Sequence, residues 1–443
     1  MNRGRYIQYL KLLAGLFRQF LMNPLLLVQA TATDFFRILN NRYYAQYLKK
    51  LPNVDPLNIF VDPRLFNRPT LNVLIPGMTM KHMSGGPNTA INLAYRLAEK
   101  GIPIRFISTH VSVEKNQDML WKHFSTLTGI AERLTNVEIC CGADRSKPIK
   151  IGENDVFLGT AWWTVQLIKN ALVLTKPQKF IYLIQEFEPG LYEFSSRYAL
   201  ALETYHLNFF GIINEQFLAD YLCDNKIGSF SDPEFIKSCA VFEPALDTGK
   251  FYPVLTNFQS RHRRLLFYAR PNAPRNLFEL GLNALQNAAL QGVFSGETWE
   301  LLFIGESLPA MKLGNNLVIR STPWLNYDAY ADLVRSSDIA LSLMLSPHTS
   351  YPPLEMAASG GIAVTCSFAG KTQQKLRQLS PNIIAVSPTA EGIVGGLQEA
   401  VRRVGTGQRA LEQIHMPSSW DEGFSGVVPR LIEMFCDCQK SGD

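Results

Sequence analysis

The chain lacks any run of about 20 consecutive apolar residues, the length a helix needs to cross a bilayer. Its most apolar N-terminal stretch, 12–30, is broken by Arg18, Gln19, Asn23 and Pro24, and an arginine there also argues against a secretory leader. There is no C-x-x-C pair, no histidine at metal-ligand spacing, no D-x-D carboxylate pair and no G-x-G-x-x-G. A zinc site, a bound divalent metal and the dinucleotide fingerprint are therefore not indicated. The seven cysteines are odd in number and scattered, which gives no disulfide framework and makes a reducing cytoplasm the expected compartment. Acids are scarce at the start: residues 1–50 hold Arg3, Arg5, Lys11, Arg18, Arg37, Arg42, Lys49 and Lys50 against Asp34 alone. The formal net charge is +5, so the excess resides in that segment and the remainder is slightly acidic. No nucleic-acid footprint spreads over the fold, and no nucleic-acid partner is expected.

What is present is a folded α/β pattern. An apolar fraction of 47% and a charged fraction of 18% fit a globular protein, and 443 residues imply two or three domains. Residues 1–65 read as a basic segment with amphipathic helices over 4–21 and 24–50, followed by a Pro-rich linker. Those helices either pack on the protein body or a second subunit, or lie on an anionic membrane surface. From 66 to 245 short apolar strands alternate with helical patterns, at 71–75, 103–108, 156–158, 180–184, 209–213 and 240–242. A second series occupies 246–420, with strands at 264–269, 299–304, 317–319, 339–343 and 383–386 and helices at 277–290, 327–336 and 390–404. A final helical segment follows over 421–443. Two successive Rossmann-like domains facing across a cleft is the architecture this alternation predicts.

Four stretches carry chemistry. Gly85–Gly86, after the first strand, lets a backbone approach a ligand closely. In LIQEFEPGLY, Glu186 and Glu188 follow an apolar strand, and two positions apart in extended chain they face one way, toward the cleft. In YARPNAPRN, Arg270 and Arg275 lie on a strand-to-helix loop, where two fixed cations hold a diphosphate and neutralise its growing charge as it leaves. The stretch SLMLSPHTSYPPLEMAASGG reads as strand, polar turn, and a short helix containing one acid, Glu355. Ser350 is placed to cap that helix, Pro352 and Pro353 suit its first turn, and Gly360–Gly361 can end it. The N–H groups at its start would favour an anion.

These residues carry a resemblance. The second domain resembles the donor half of retaining glycosyltransferases of GT-B fold, glycosyltransferase family 4. That family has an Arg and a Lys five apart after the domain's first strand and an E-x7-E motif later. Arg270 matches the Arg, Arg275 stands where the Lys is usual, and Glu355 matches the second Glu; the first would fall at 347, where this chain has Pro347. More narrowly, SLMLSPHTSYPPLEM, YADLVRSSDIALS and the QEFEP segment resemble the rhamnan-synthesis, WsaF-type rhamnosyltransferases, over roughly 66–435.

The resemblance implies a metal-independent glycosyltransferase without a resident cofactor, whose partners are a nucleotide-sugar donor and a glycan or lipid-linked oligosaccharide acceptor. Arg270 and Arg275 would stabilise the leaving diphosphate, and Glu355 would accept from the ribose; apart from the resemblance, Glu186 or Glu188 could serve as a base, which makes Glu188 the third catalytic candidate. With no carboxylate at 347, His348, Thr349 and Ser350 are expected to contact the donor, through backbone N–H groups, with His348 itself a candidate sugar contact or else a turn histidine with local hydrogen bonds, and with Leu354 beside them. Gly85, Gly86 and Glu186 would serve the phosphate or the acceptor. L-rhamnose carried on deoxythymidine diphosphate is the favoured donor. The protein is expected in the cytoplasm, peripheral at the inner face of the plasma membrane, with an oligomer allowed. A sugar-nucleotide epimerase or phosphorylase on the same fold is the second reading. A non-catalytic nucleotide-sugar- or glycan-binding subunit of an assembly complex is the third.

Overall fold

The computed structural model describes residues 55–66, 69–83, 85–255, 262–323, 325–412 and 414–440. The helices expected over 4–21 and 24–50, and with them the membrane-surface segment, lie outside the described residues.

Two seven-stranded sheets organise the chain. Its first strands are β1 (Ile59–Val61), β2 (Leu71–Ile75), β3 (Ile104–Ser108), β4 (Val137–Cys141), β5 (Ile149–Ile151), β6 (Val156–Gly159), β7 (Phe180–Ile184), β8 (Phe209–Asn214) and β9 (Ala240–Phe242). Then come β10 (His262–Ala269), β11 (Thr298–Gly305), β12 (Met311–Gly314), β13 (Leu317–Ser321), β14 (Ile339–Leu341), β15 (Ile362–Cys366) and β16 (Ile383–Val386). The first sheet runs β4-β3-β2-β6-β7-β8-β9 and is parallel throughout. The second runs β12-β13-β11-β10-β14-β15-β16, with only the β12–β13 pair antiparallel.

Helices cover both faces of a parallel sheet, so its strands are apolar along their whole length. β2, β3, β7 and β8 are buried at every position. Arg105 of β3 is a polar exception, held by Asn72 at 2.8 Å and Asp155 at 3.0 Å. In each sheet the strand order reverses at the central pair, β2/β6 in the first and β10/β14 in the second. A crevice opens at the carboxyl ends of such a pair.

Two features depart from the composition reading. Residues 59–61, expected within a linker, pair in parallel with β5, so Pro-rich sequence there borders a strand. The strand expected over 339–343 ends at Leu341, where the polar loop takes over. The final segment crosses to the first sheet: Phe424, Val427, Leu431 and Phe435 join the core that contains Tyr95, Phe124 and Phe242. Asp421 pairs with Arg96 at 2.8 Å. Among the described residues no helix is long and apolar enough to cross a membrane.

Candidate functional site

Loops at the carboxyl ends of both sheets meet. After β10 the chain turns through Arg270 into a 3-10 turn, Pro274–Asn276. After β14 it forms the loop 342–350 and enters the helix Tyr351–Ala358. The two loops are stitched together: Leu345 N–H donates to the Arg275 carbonyl at 2.8 Å, and the Asn276 side-chain amide to the Leu343 carbonyl at 3.2 Å. The structure thus brings Arg270, Arg275, His348 and Glu355 onto one end of one sheet.

The short helix ends as its glycines predict. Gly360, at φ 78°, follows the C-cap; its N–H bonds the Ala357 carbonyl and that of Gly361 the Met356 carbonyl, both at 3.0 Å. This is a Schellman closure. The start is different. Ser350 makes no side-chain cap and sits at φ 73°, outside the usual N-cap geometry; its N–H donates to the His348 ring Nδ1 at 3.0 Å.

That contact belongs to a larger correction. The N–H groups of His348, Thr349 and Ser350, expected to face an anion, are all satisfied within the protein: His348 on the Ser346 hydroxyl at 3.1 Å, Thr349 on Glu215 Oε1 at 2.6 Å, and Ser350 on the imidazole. Thr349 is buried, and its hydroxyl also donates to Glu215. With Nδ1 accepting, the proton of a neutral His348 ring sits on Nε2; that atom is buried and has no partner. The ring, not the backbone, is the donor this loop offers. Leu354 is corrected too, since its side chain packs in the core with Leu246, Ala363 and Ile383.

Glu355 is only 6% exposed and accepts from the Tyr330 hydroxyl at 2.6 Å. Burial pushes its carboxyl up to about 7, with the Tyr330 bond opposing the rise. Arg270 stands half-open, 3.9 Å from Glu306. Arg275 reaches across to the first sheet, 3.5 Å from Glu186, and its Nε is buried without a partner.

Glu186 and Glu188 do not share a face. The chain leaves extended geometry at Phe187, whose ring is buried against Tyr205 and Tyr221, and Glu188 opens a 3-10 turn. Glu186 turns toward the second sheet, accepting from the Ser346 hydroxyl and facing Arg275. Glu188 turns back, accepting from Trp162 N–H at 2.6 Å and the Tyr182 hydroxyl at 3.0 Å. Burial pushes its carboxyl up to about 8, those two bonds opposing. Gly85, at φ 56°, precedes the helix Gly86–Glu99. A Cβ on Gly86 would stand 3.0 Å from the Gln185 amide, so this glycine's close approach is to a side chain at the end of β7.

Three residues of the site escaped the sequence reading. Glu215 directly follows β8 and carried the same signal as Glu186, an acid at the carboxyl end of an apolar strand. Tyr330 lies one helix away from the acid it holds. Lys371 gave no signal, for it lies in a loop after β15 and yet is 1% exposed. Among the described residues no group of three or more His, Cys, Asp or Glu could hold a metal ion.

Two Rossmann-like domains whose strand ends face each other, with a closing helix that returns to the first, define a GT-B fold. Solved structures agree on the fold. Anabaena Alr3699/HepE in complex with UDP superimposes with a TM-score of 0.54 at 9% identity, covering 83% of this chain and 100% of that one. WaaG, a glycosyltransferase involved in lipopolysaccharide biosynthesis, superimposes with a TM-score of 0.51 at 12% identity, covering 82% and 99%. The family model of the WsaF N-terminal domain matches residues 70–213, and that of the WsaF C-terminal domain matches 263–398. Both halves follow in order, and the chain belongs to the WsaF family. The O-antigen biosynthesis protein RfbC of Myxococcus xanthus is 30% identical over 284 residues, 63% of this chain and 21% of the relative. The chain therefore spans about a fifth of that relative's length.

Proposed function

We propose that the protein is a glycosyltransferase that moves a sugar from a nucleoside-diphosphate donor to a growing surface polysaccharide. The observation that carries this reading is the stitching of the Arg270–Asn276 turn to the loop before Glu355, at the central crevice of the second sheet. Arg270 and Arg275 would take the diphosphate, and their charge would stabilise the leaving group as the bond from its oxygen to the anomeric carbon breaks. Tyr330 holds one oxygen of Glu355, and the other would accept from a ribose hydroxyl. His348 Nε2–H is a further donor for the diphosphate or sugar. The UDP complex of the Anabaena neighbour and the O-antigen role in the name of the Myxococcus relative support a nucleotide donor and a glycan product.

L-rhamnose on deoxythymidine diphosphate is the proposed donor, resting on the WsaF resemblance. Transfer would retain configuration and use no metal; the acceptor hydroxyl would attack the anomeric carbon and pass its proton to the departing phosphate oxygen. Residues 1–50, basic and apolar by turns, would hold the protein on an anionic membrane face in the cytoplasm, where a lipid-linked acceptor is made. One observation favours a second reading: Glu186 faces Arg275 across the crevice at 3.5 Å, where a carboxylate could take the acceptor's proton as a general base, which would make transfer inverting. The anomeric configuration of the product, read by NMR, separates the two. Titration with dTDP-L-rhamnose and UDP-glucose tests the donor. If Arg270→Ala leaves both donor binding and turnover unchanged, the glycosyltransferase reading is wrong.

A further inference from the structure

The loop 344–350 is gripped by charged groups that the proposed chemistry does not use. Glu215, from the end of β8 in the first domain, accepts from both the N–H and the hydroxyl of Thr349 through Oε1. Its other oxygen, Oε2, is buried without a partner. From beneath, the Lys371 ammonium donates to the Met344 carbonyl at 3.3 Å and to the His348 carbonyl at 3.0 Å. One cation thus ties the two ends of a five-residue turn, and one carboxylate of the other domain takes the next residue. Between these anchors the His348 ring is locked by Ser350, its Nε2–H buried and unanswered.

Such an arrangement carries a desolvation cost. A buried ammonium is stable only where fixed dipoles and opposite charges replace its water. Lys371 has two carbonyls and the nearby charges of Glu215 and Glu186, and burial still pushes it down to about 8. A packing role needs no charge at this position. The same turn supports Ser346 for Glu186 and adjoins Arg275 through Leu345, so its shape sets what stands beside the diphosphate on the side facing the first domain. With the ribose at Glu355 and the diphosphate at Arg270 and Arg275, the transferred sugar would extend to that side.

We propose that Glu215 and Lys371 are positioning residues for transfer, holding the turn Met344–Thr349 so that the His348 ring meets the donor sugar. Glu215 is the first domain's share of this grip, so donor recognition depends on a residue outside the donor domain. The proposal rests on the glycosyltransferase reading.

The test compares, for the full chain, calorimetric affinity for dTDP and dTDP-L-rhamnose and for UDP and UDP-glucose. The difference within each pair isolates what the sugar adds. Glu215→Gln keeps an acceptor for Thr349 and removes the charge; Lys371→Met keeps the volume and removes both carbonyl contacts. In each variant the affinity for the diphosphate is expected to stay within about twofold, while the sugar's increment falls by about tenfold, the loss expected for one charge-assisted hydrogen bond. Glu215→Gln alone suffices if Lys371→Met fails to fold. The proposal is overturned if the increment survives in Glu215→Gln, or if diphosphate affinity falls with it, which marks a purely structural role. It is also overturned if wild type binds diphosphates but gains nothing from either sugar. A wild type that binds no nucleotide at all instead removes the glycosyltransferase reading, and this proposal with it.

Discussion

Among single residues, the opposed fates of Glu186 and Glu188 matter most. One faces an arginine across the crevice; the other is folded back onto Tyr182 and Trp162. A carboxyl whose folded pKa lies above its unfolded value holds its proton longer in the native state, so its contribution to stability is complete at low pH and is lost as pH rises. For Glu188 that window runs from about 4.5 to about 8. Glu188→Gln mimics the protonated acid, so the stability difference between variant and wild type is expected to grow in the variant's favour across this range. Urea titrations at pH 5 and pH 8 measure it; a difference that does not change with pH would contradict the assignment. The two arginines give a second prediction. If they supply the positive charge at the diphosphate, EDTA leaves turnover unchanged, whereas Arg275→Ala lowers donor affinity by about tenfold or more. Loss of turnover on chelation that added magnesium restores would remove the metal-free mechanism.

At the scale of elements, the helix Tyr351–Ala358 shows what sequence can and cannot convey. Its boundaries were legible: the prolines sit in its first turn and the glycines close it. Its first contacts were not, because Ser350 sits at φ 73°, outside the usual backbone geometry of a capping serine, and only the fold decides that. Nor could Lys371 be read, since its burial depends on a turn 23 residues earlier in the chain. The strands were legible because a sheet covered on both faces demands unbroken apolar runs. β4 and β5 were missed because both carry exposed polar positions. The closing glycines yield a test. Gly360 at φ 78° tolerates a side chain poorly, and Gly360→Ala is expected to cost about 1–2 kcal/mol. At Gly361 a Cβ would lie 2.2 Å from the Met356 sulfur, so Gly361→Ala should cost more. Equal melting temperatures for both variants and wild type would show that the helix end is not so constrained.

For the whole molecule, two domains of similar build are tied both near the site and at the end of the chain. Near the site, carboxylates of the first domain hold Ser346 and Thr349 of the second. Far along the chain, the last segment returns to the first core, where the Phe424 ring lies 4.9 Å from those of Phe242 and Trp420. Phe424→Ala removes a buried aromatic from that return, and a loss of about 3–5 kcal/mol is expected, read as a lowered denaturant midpoint. A midpoint within error of wild type would mean that the returning segment contributes little to stability.

The central claim is that the carboxyl ends of the second sheet bind a nucleoside-diphosphate sugar through Arg270 and Arg275. Calorimetry of dTDP and UDP against wild type and the Arg270→Ala/Arg275→Ala double variant tests it most directly. Saturable binding of a diphosphate by wild type, weakened at least about a hundredfold in the double variant, is the expected result. Equal binding by the two proteins would contradict it.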